Sequence, residues 1–446
     1  MPSPEDAPAL DLDQAVRIFQ NLVPLQTLNG LELPNSRTVY TPWIVSWLMV
    51  YQRLSGNLAL ADALPELAHL SEDLLPDNKR VRERTLSANT GGLARARTRL
   101  AFEIAEWASD RVSAALIAQS PPSLGDRRVF LIDGSTLSLA PTDSLRQAFP
   151  PAKNQHGESH WPVLRLVTAH DLSSGAALRP EIGQVCGPKA AGEVELSARL
   201  IARLPAQSVL IGDRNFGIFA FAWQTRQAGH DILMRLTKSR FQALVRKAKS
   251  VGPGEWELLW KPSSWERGKN PQWPAKAAVP VRLHEVRISE TLTLWLVTSL
   301  GESAVVLAEL YRGRGHVETD LRDLKQTLRL EEIRGRSPEM VRKELAAATI
   351  AYNLVVLIRR LASARAEVEP RRLSFRRVWA LVRGMLGHSV DGADPARVEQ
   401  RIDQVLRMAG QCKLPNRPGR NYPREVIGRR SRFPQRRPKG NDKRPK

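Results

Sequence analysis

Cysteine is nearly missing from this chain: Cys186 and Cys412 are the two that occur in 446 residues. Two distant thiols make neither a disulfide framework nor a zinc site, and they suit a reducing compartment. Long apolar runs are also lacking. The longest, 345–358, is interrupted by Thr349, Tyr352 and Asn353, which reads as a buried helix and not as a bilayer span. The opening residues are acidic, and no basic start with an apolar core follows, so no secretory signal is expected. A glycine-lysine phosphate loop and a dinucleotide fingerprint are both absent, which speaks against an ATP-driven or redox enzyme. His156 and His160 have the H-x3-H spacing of a zinc pair, but Gly157, Ser159 and Pro162 make that segment a loop.

Acids are scarce relative to bases: 46 Asp and Glu stand against 67 Lys and Arg, a net charge of +21. Such an excess suits a protein that follows a phosphate backbone, because each cation displaces condensed counterions. The expected partner is nucleic acid, and the expected location is the cytoplasm.

The most specific pattern is Tyr311, Arg314, Glu318 and Lys325, spaced Y-x2-R-x3-E-x6-K. On an α-helix these four fall within an arc of about 60°. An apolar stripe of Leu310, Val317, Leu321, Leu324 and Leu328 runs beside them, while Thr319, Asp320 and Asp323 point elsewhere. Glu318 is thus set at the margin of a core between two cations. A solvated face with an Arg314–Glu318 i,i+4 pair fits the same spacing. Two upstream acids shift the balance. Asp133 follows the run Val129-Phe130-Leu131-Ile132, and Asp213 follows Ser208-Val209-Leu210-Ile211-Gly212. Both runs read as buried strands, and a charge at such a strand end is costly unless it is paired or binds metal. Either Asp alone would pass as a turn residue. Three acids together form an oxygen donor set for Mg²⁺ or Mn²⁺, and two such ions suit phosphodiester hydrolysis or transfer.

Asp133 and Asp213 at strand ends, the Arg214-Asn215-Phe216 that follows, and Glu318 within Y-x2-R-x3-E-x6-K resemble the DDE transposases of the insertion-sequence-four family. The resemblance covers about residues 80 to 365. It implies an α/β fold, a ribonuclease-H-like catalytic core with a β-rich insertion before the Glu-bearing helix. It also implies that Asp133, Asp213 and Glu318 are the metal ligands, and that Tyr311, Arg314 and Lys325 contact DNA around the cleaved phosphate. Partners implied are double-stranded DNA, as terminal inverted repeats and target, and a second copy of the chain in a DNA-bound homodimer. A nuclease or junction-resolving enzyme on the same fold, and a catalytically silent DNA-binding relative, remain alternatives. A tyrosine recombinase does not fit, since Tyr311 lacks a surrounding cluster of Arg and His.

Four regions are expected. Residues 1–120 read as a helical DNA-binding domain, with amphipathic runs at 10–22, 43–54 and 58–70. There Asn89 or Thr90 would cap a helix carrying Arg95, Arg97 and Arg99, cations for phosphates or a solvated face. Residues 121–365 form the catalytic domain. In it a hairpin spans 163–185, helices lie near 193–204 and 217–227, and strands lie at 208–213 and 231–236. A tryptophan-rich β insertion at 251–299 interrupts it, with paired strands at 279–288 and 291–298. Trp295 is its best candidate for a base contact, although tryptophan is more often core. After Gly335 stops the Glu helix, Ser337-Pro338 starts another over 340–360. Residues 366–412 hold two more helices, 375–385 and 395–408, the second capped by Asp394. The tail 413–446, with thirteen basic residues against two acidic, reads as a disordered arm gripping phosphates or as a solubility tail.

Overall fold

The computed structural model describes residues 15–31, 38–154, 157–290, 292–385 and 395–415. Its strands are β1 (Val129–Ser138), a short hairpin of β2 (Lys153–Asn154) and β3 (Gly157–Glu158), β4 (Val163–Asp171), β5 (Glu181–Gln184), β6 (Val209–Gly212), β7 (Asp231–Arg235), β8 (Lys249–Gly252), β9 (Glu255–Trp260), β10 (Val279–Arg287) and β11 (Thr293–Thr298). Nine of them form one mixed sheet in the order β5-β4-β1-β6-β7-β11-β10-β9-β8. β4 runs antiparallel to β1, β5 runs antiparallel to β4, and β6 and β7 follow β1 in parallel. The expected α/β class holds. So does the hairpin, whose turn closes at Gly175 with φ of +75°.

The apolar run Val129-Phe130-Leu131-Ile132 is wholly buried, as is Val209-Leu210-Ile211 in β6. Continuous β-branched and apolar runs of this kind suit strands covered on both faces. The strands at 279–288 and 291–298 appear as β10 and β11, paired antiparallel. They do not stand apart: β11 pairs with β7, so the tryptophan-rich segment continues the same sheet. The sequence pattern missed β8 and β9, which are short and lack a clean alternation. Trp260 is core, and Trp256 packs edge-on against Phe241.

Behind the sheet lies the helix Pro338–Arg365, capped by Ser337, whose hydroxyl accepts from Met340 N. It is longer than the 340–360 expected and is long and apolar enough to cross a membrane, yet it is buried on nearly all sides. Within it Asn353 is fully buried, accepts from Ala177 N and donates to Ala177 O and Ser113 Oγ, fastening helix to sheet. Glu344 receives Arg53 at 2.7 Å and Arg97 at 3.2 Å, joining this helix to Pro42–Leu54 and Gly91–Arg99.

The Glu-bearing segment departs from a regular α-helix. Helix Ala304–Arg312 passes through a tight turn at Gly313 and Arg314 into helix Gly315–Arg322, then widens into a π turn at Asp323–Thr327. The tight turn is closed by i+3 bonds, His316 N to Gly313 O and Val317 N to Arg314 O, which overwind the chain. The π turn underwinds it again. The helix ends at Thr327, well before Gly335, and Arg329 there takes φ of +52°.

Asp320 does point away from the Glu318 face, but it is not an acid that would tolerate replacement, as its place on another face suggested. It is fully buried, and both its oxygens accept from Arg371 Nη1, at 2.6 and 2.7 Å. Burial works against the Asp320 charge, but Arg371, His170 and Arg359 hold its pKa below the usual carboxylate value. His170, with Nδ1 3.8 Å from Asp320, is itself pushed down to about 4 by burial and is neutral at pH 7. Asp320→Ala is expected to cost about 3–5 kcal/mol of folding stability, because Arg371 would remain buried without a partner. Urea unfolding measures this, and a loss under about 1 kcal/mol, as for an exposed pair, would show that the pair does not fasten the helix.

Candidate active site

β1 and β6 are parallel and in register, Leu131 facing Ile211. Two residues further on, the neighbouring backbones are about 4.8 Å apart; Asp213 follows the end of β6, but Asp133 is not at a strand end as expected, because β1 continues to Ser138 along β4. The turn after Asp213 is tight. A Cβ at Gly217 would lie 2.5 Å from Arg235 O, so the loop can close against β7 only with glycine there. Asp133 Oδ1 accepts from Gly134 N at 2.8 Å, and Asp213 Oδ1 accepts from Asn215 N at 2.8 Å. One oxygen of each carboxylate is thus held by backbone. The other faces the Glu-bearing segment.

Arg314 meets all three acids. Its Nη2 is 3.2 Å from Asp133 Oδ2 and 3.9 Å from Asp213 Oδ2, while Nη1 donates to Glu318 Oε1. Burial opposes the Arg314 charge, yet Asp133, Glu318 and Asp213 hold its pKa above the ordinary guanidinium value. Burial pushes the Asp133 carboxyl up to about 6; Arg314 and the Gly134 N–H pull it down, while Asp213 and Glu193 push it up further.

The remaining expected residues divide. Lys325, on the π turn, donates to Ser135 Oγ at 3.0 Å and pairs with Glu331 at 3.0 Å. Tyr311 is 7% exposed, and burial pushes its phenol up to about 12, with Arg314 and Arg235 acting in the opposite direction. Trp295 is half-buried on β11 and packs against the core. Arg95 and Arg99 are exposed, but Arg97 is not with them: it turns inward onto Glu344 and Met340 Sδ. On helix Gly91–Arg99 residues two places apart stand about 200° apart, so Arg97 faces away from Arg95 and Arg99. His156, Asp394 and the tail 416–446 lie outside the described residues, and His160 packs edge-on against Trp161.

Ser135 and Glu193 were not singled out from sequence. Glu193 opens helix Glu193–Ile201, and a Cβ added to Gly134 would lie 2.4 Å from its Oε1. The Asp133-Gly134-Ser135 triplet was a usable signal for the serine; for Glu193 the sequence shows only a helix start.

Among the described residues no group of three His, Cys, Asp or Glu stands close enough to hold an ion unaided. The Arg314 guanidinium stands between the acids instead. Three hard-oxygen carboxylates share that one positive charge, each Asp with an oxygen turned inward, and this donor set fits a divalent cation.

Hard-oxygen acids ringed by Arg and Lys on a strongly basic chain define an enzyme of nucleic-acid phosphodiesters. Residues 124–354, more than half of the chain, match the Transposase DDE domain family, and the chain belongs to it as a DDE-type transposase. It is 26% identical over 313 residues to the transposase InsG for insertion sequence element IS4 of Escherichia coli strain K12, covering 68% of each chain. It is also 35% identical over 88 residues to y4zB of Sinorhizobium fredii strain NBRC 101917 / NGR234, which covers 20% of this chain and 25% of that protein. Enzymes of this family generally work with divalent metal ions.

The raised Asp133 pKa has a measurable sign. Its folded value lies above the unfolded one, so its ionised form destabilises the metal-free fold above pH 6, and the penalty fades as pH falls from about 6 toward 4. Asp133→Asn is therefore expected to be more stable than the parent at pH 7, by roughly 1–3 kcal/mol, with the advantage shrinking below pH 6. Denaturant unfolding of both proteins in chelator across pH 4–8 checks this; a pH-independent difference would contradict it.

Proposed function

We propose that the chain excises its own mobile element from duplex DNA and joins the ends to a target, by cut-and-paste transposition. The observation that carries this reading is the convergence of Asp133, Asp213 and Glu318 on the single guanidinium of Arg314. The order β5-β4-β1-β6-β7, with three antiparallel strands and then two parallel to β1, supports a ribonuclease-H-like core. In this reading β8 to β11 are the insertion within a catalytic domain of 121–365. Residues 1–120 bind element ends, 366–412 are a helical region, and 413–446 are a basic arm.

Asp133, Asp213 and Glu318 would hold two Mg²⁺ or Mn²⁺ ions. When bound, these supply an activated attacking oxygen and stabilise the leaving oxygen at phosphorus. The chain's own residues do the positioning. Backbone N–H groups of Gly134 and Asn215 fix the rotation of the two Asp carboxylates. Arg314, no longer needed by the acids, turns its charge to the scissile phosphate, and Lys325 holds a neighbouring phosphate from the π turn. Tyr311 walls the same space, Trp295 offers an aromatic surface to a base, and Arg95 and Arg99 take phosphates of the element end. Water attacks first and a freed DNA 3′-hydroxyl second, in the same geometry. Holding two ends at once calls for a homodimer on DNA.

Asp133→Ala, Asp213→Ala and Glu318→Ala are each expected to abolish metal-dependent cleavage of element-end DNA while leaving end binding within a few-fold of the parent. A gel assay of cleavage beside a binding titration reads both; near-normal cleavage by one variant would remove that residue from the metal site. Arg314→Ala and Lys325→Ala should each reduce the slope of log affinity against log salt by about 0.9, one phosphate contact. Lower thermal stability with an unchanged slope would leave them a structural role alone.

A further inference from the structure

A cleft of about 1500 Å³ opens beside the catalytic acids and runs outward between helix Phe219–Gln227 and the β9 region. At its inner end stand Glu193, packed against Gly134, and Asn215, two residues beyond Asp213. Arg240 in its wall donates to Gly217 O at 2.8 Å and to Arg214 O at 3.2 Å, tying the wall to the loop that carries Asp213. The inner end of the cleft thus adjoins residues next to Asp133 and Asp213.

Its outer end combines charge with an aromatic surface. Trp265 is 68% exposed, unusual for the largest apolar side chain, and Lys269 Nζ lies 4.2 Å from its ring centroid. Lys247, Lys261 and Lys269 line the cleft, and none has a salt-bridge partner among the described residues. Two of the acids in the lining are committed elsewhere: Glu195 accepts from Gly192 N, and Glu266 accepts from Ser263 N and Oγ. Lysines without counter-charges ask for phosphates, and an exposed indole beside them asks for a base with both faces free. Paired bases in a duplex do not offer that; unpaired ones do.

We propose that this cleft binds an unpaired DNA strand leaving the catalytic centre, with a base stacked on Trp265 and phosphates held by Lys247, Lys261 and Lys269. The assignment deepens the transposition reading and rests on it for the source of the strand, which cleavage of an element end would release.

The test uses the full chain, a fluorescent 12-nucleotide oligothymidine and a duplex of equal length, with affinities read by anisotropy in chelator. Trp265→Ala is expected to weaken oligothymidine binding roughly 10-fold, the scale of one lost base stack, and to leave duplex binding unchanged. Lys261→Ala with Lys269→Ala should weaken it and lower its salt slope by about two contacts. Ultraviolet crosslinking of iododeoxyuridine-substituted oligonucleotide should label the peptide bearing Trp265. Unchanged single-strand affinity in Trp265→Ala, or equal losses for strand and duplex, would overturn the proposal, as would crosslinks confined to other peptides. Since the measurement needs neither metal nor cleavage, an enzyme that failed to transpose would still show the cleft's preference, and the two failures are distinguishable.

Discussion

Three carboxylates set this close repel one another unless a cation stands between them, and the geometry of the candidate site follows from that repulsion. Arg314 supplies one positive charge to three acids, a partial neutralisation. The arrangement is held from behind: backbone N–H groups fix Asp133 and Asp213, while the tight turn at Gly313 and Arg314 brings the guanidinium over the strand ends. A group that satisfies the acids only in part is one that metal can replace. Full neutralisation by fixed cations would stabilise the fold and silence the site.

The position of Glu318 depends on a second charge pair deeper in the protein. Asp320 is two residues away on the opposite side of the same helix, and its bidentate contact with Arg371 closes off the interior. Buried ion pairs add little net stability but are strongly destabilising when broken. Here the pair sets the rotation of the helix about its axis. The half-exposed acid faces Arg314 while the fully buried one faces Arg371. Tyr352, stacked on Phe375 with His170 against its edge, fills the space around this pair.

Much of the candidate site was legible in the sequence because its determinants are local. Apolar runs ending in Asp133 and Asp213 announced strands, and Y-x2-R-x3-E-x6-K announced a helix face. What the sequence did not show was set by distant partners. Asp320 looks like any outward acid until Arg371, fifty-one residues later, is placed against it. Arg97 shares a helix with two exposed arginines, yet Glu344 draws it inward. The overwound and underwound turns that flank Glu318 leave no mark in composition; the helix between them packs on β1 and β4, and the π turn packs on helices Pro338–Arg365 and Phe375–Met385. Strand β9, Glu-Trp-Glu-Leu-Leu-Trp, loses its alternation at Leu258-Leu259, and β8, Lys-Ser-Val-Gly, holds a single large apolar residue, so both escaped notice.

The unbroken sheet has a metric consequence. From β6, whose end carries Asp213, to β9, which borders the far side of the cleft, the order crosses β7, β11 and β10, four strand spacings in all. At about 4.8 Å each that is roughly 19 Å. Hydrogen-bonded strands do not stretch, so this interval behaves as a ruler graduated in whole strands. Loop insertions or side-chain changes leave it untouched; gaining or losing a hairpin would lengthen or shorten it by two graduations at once.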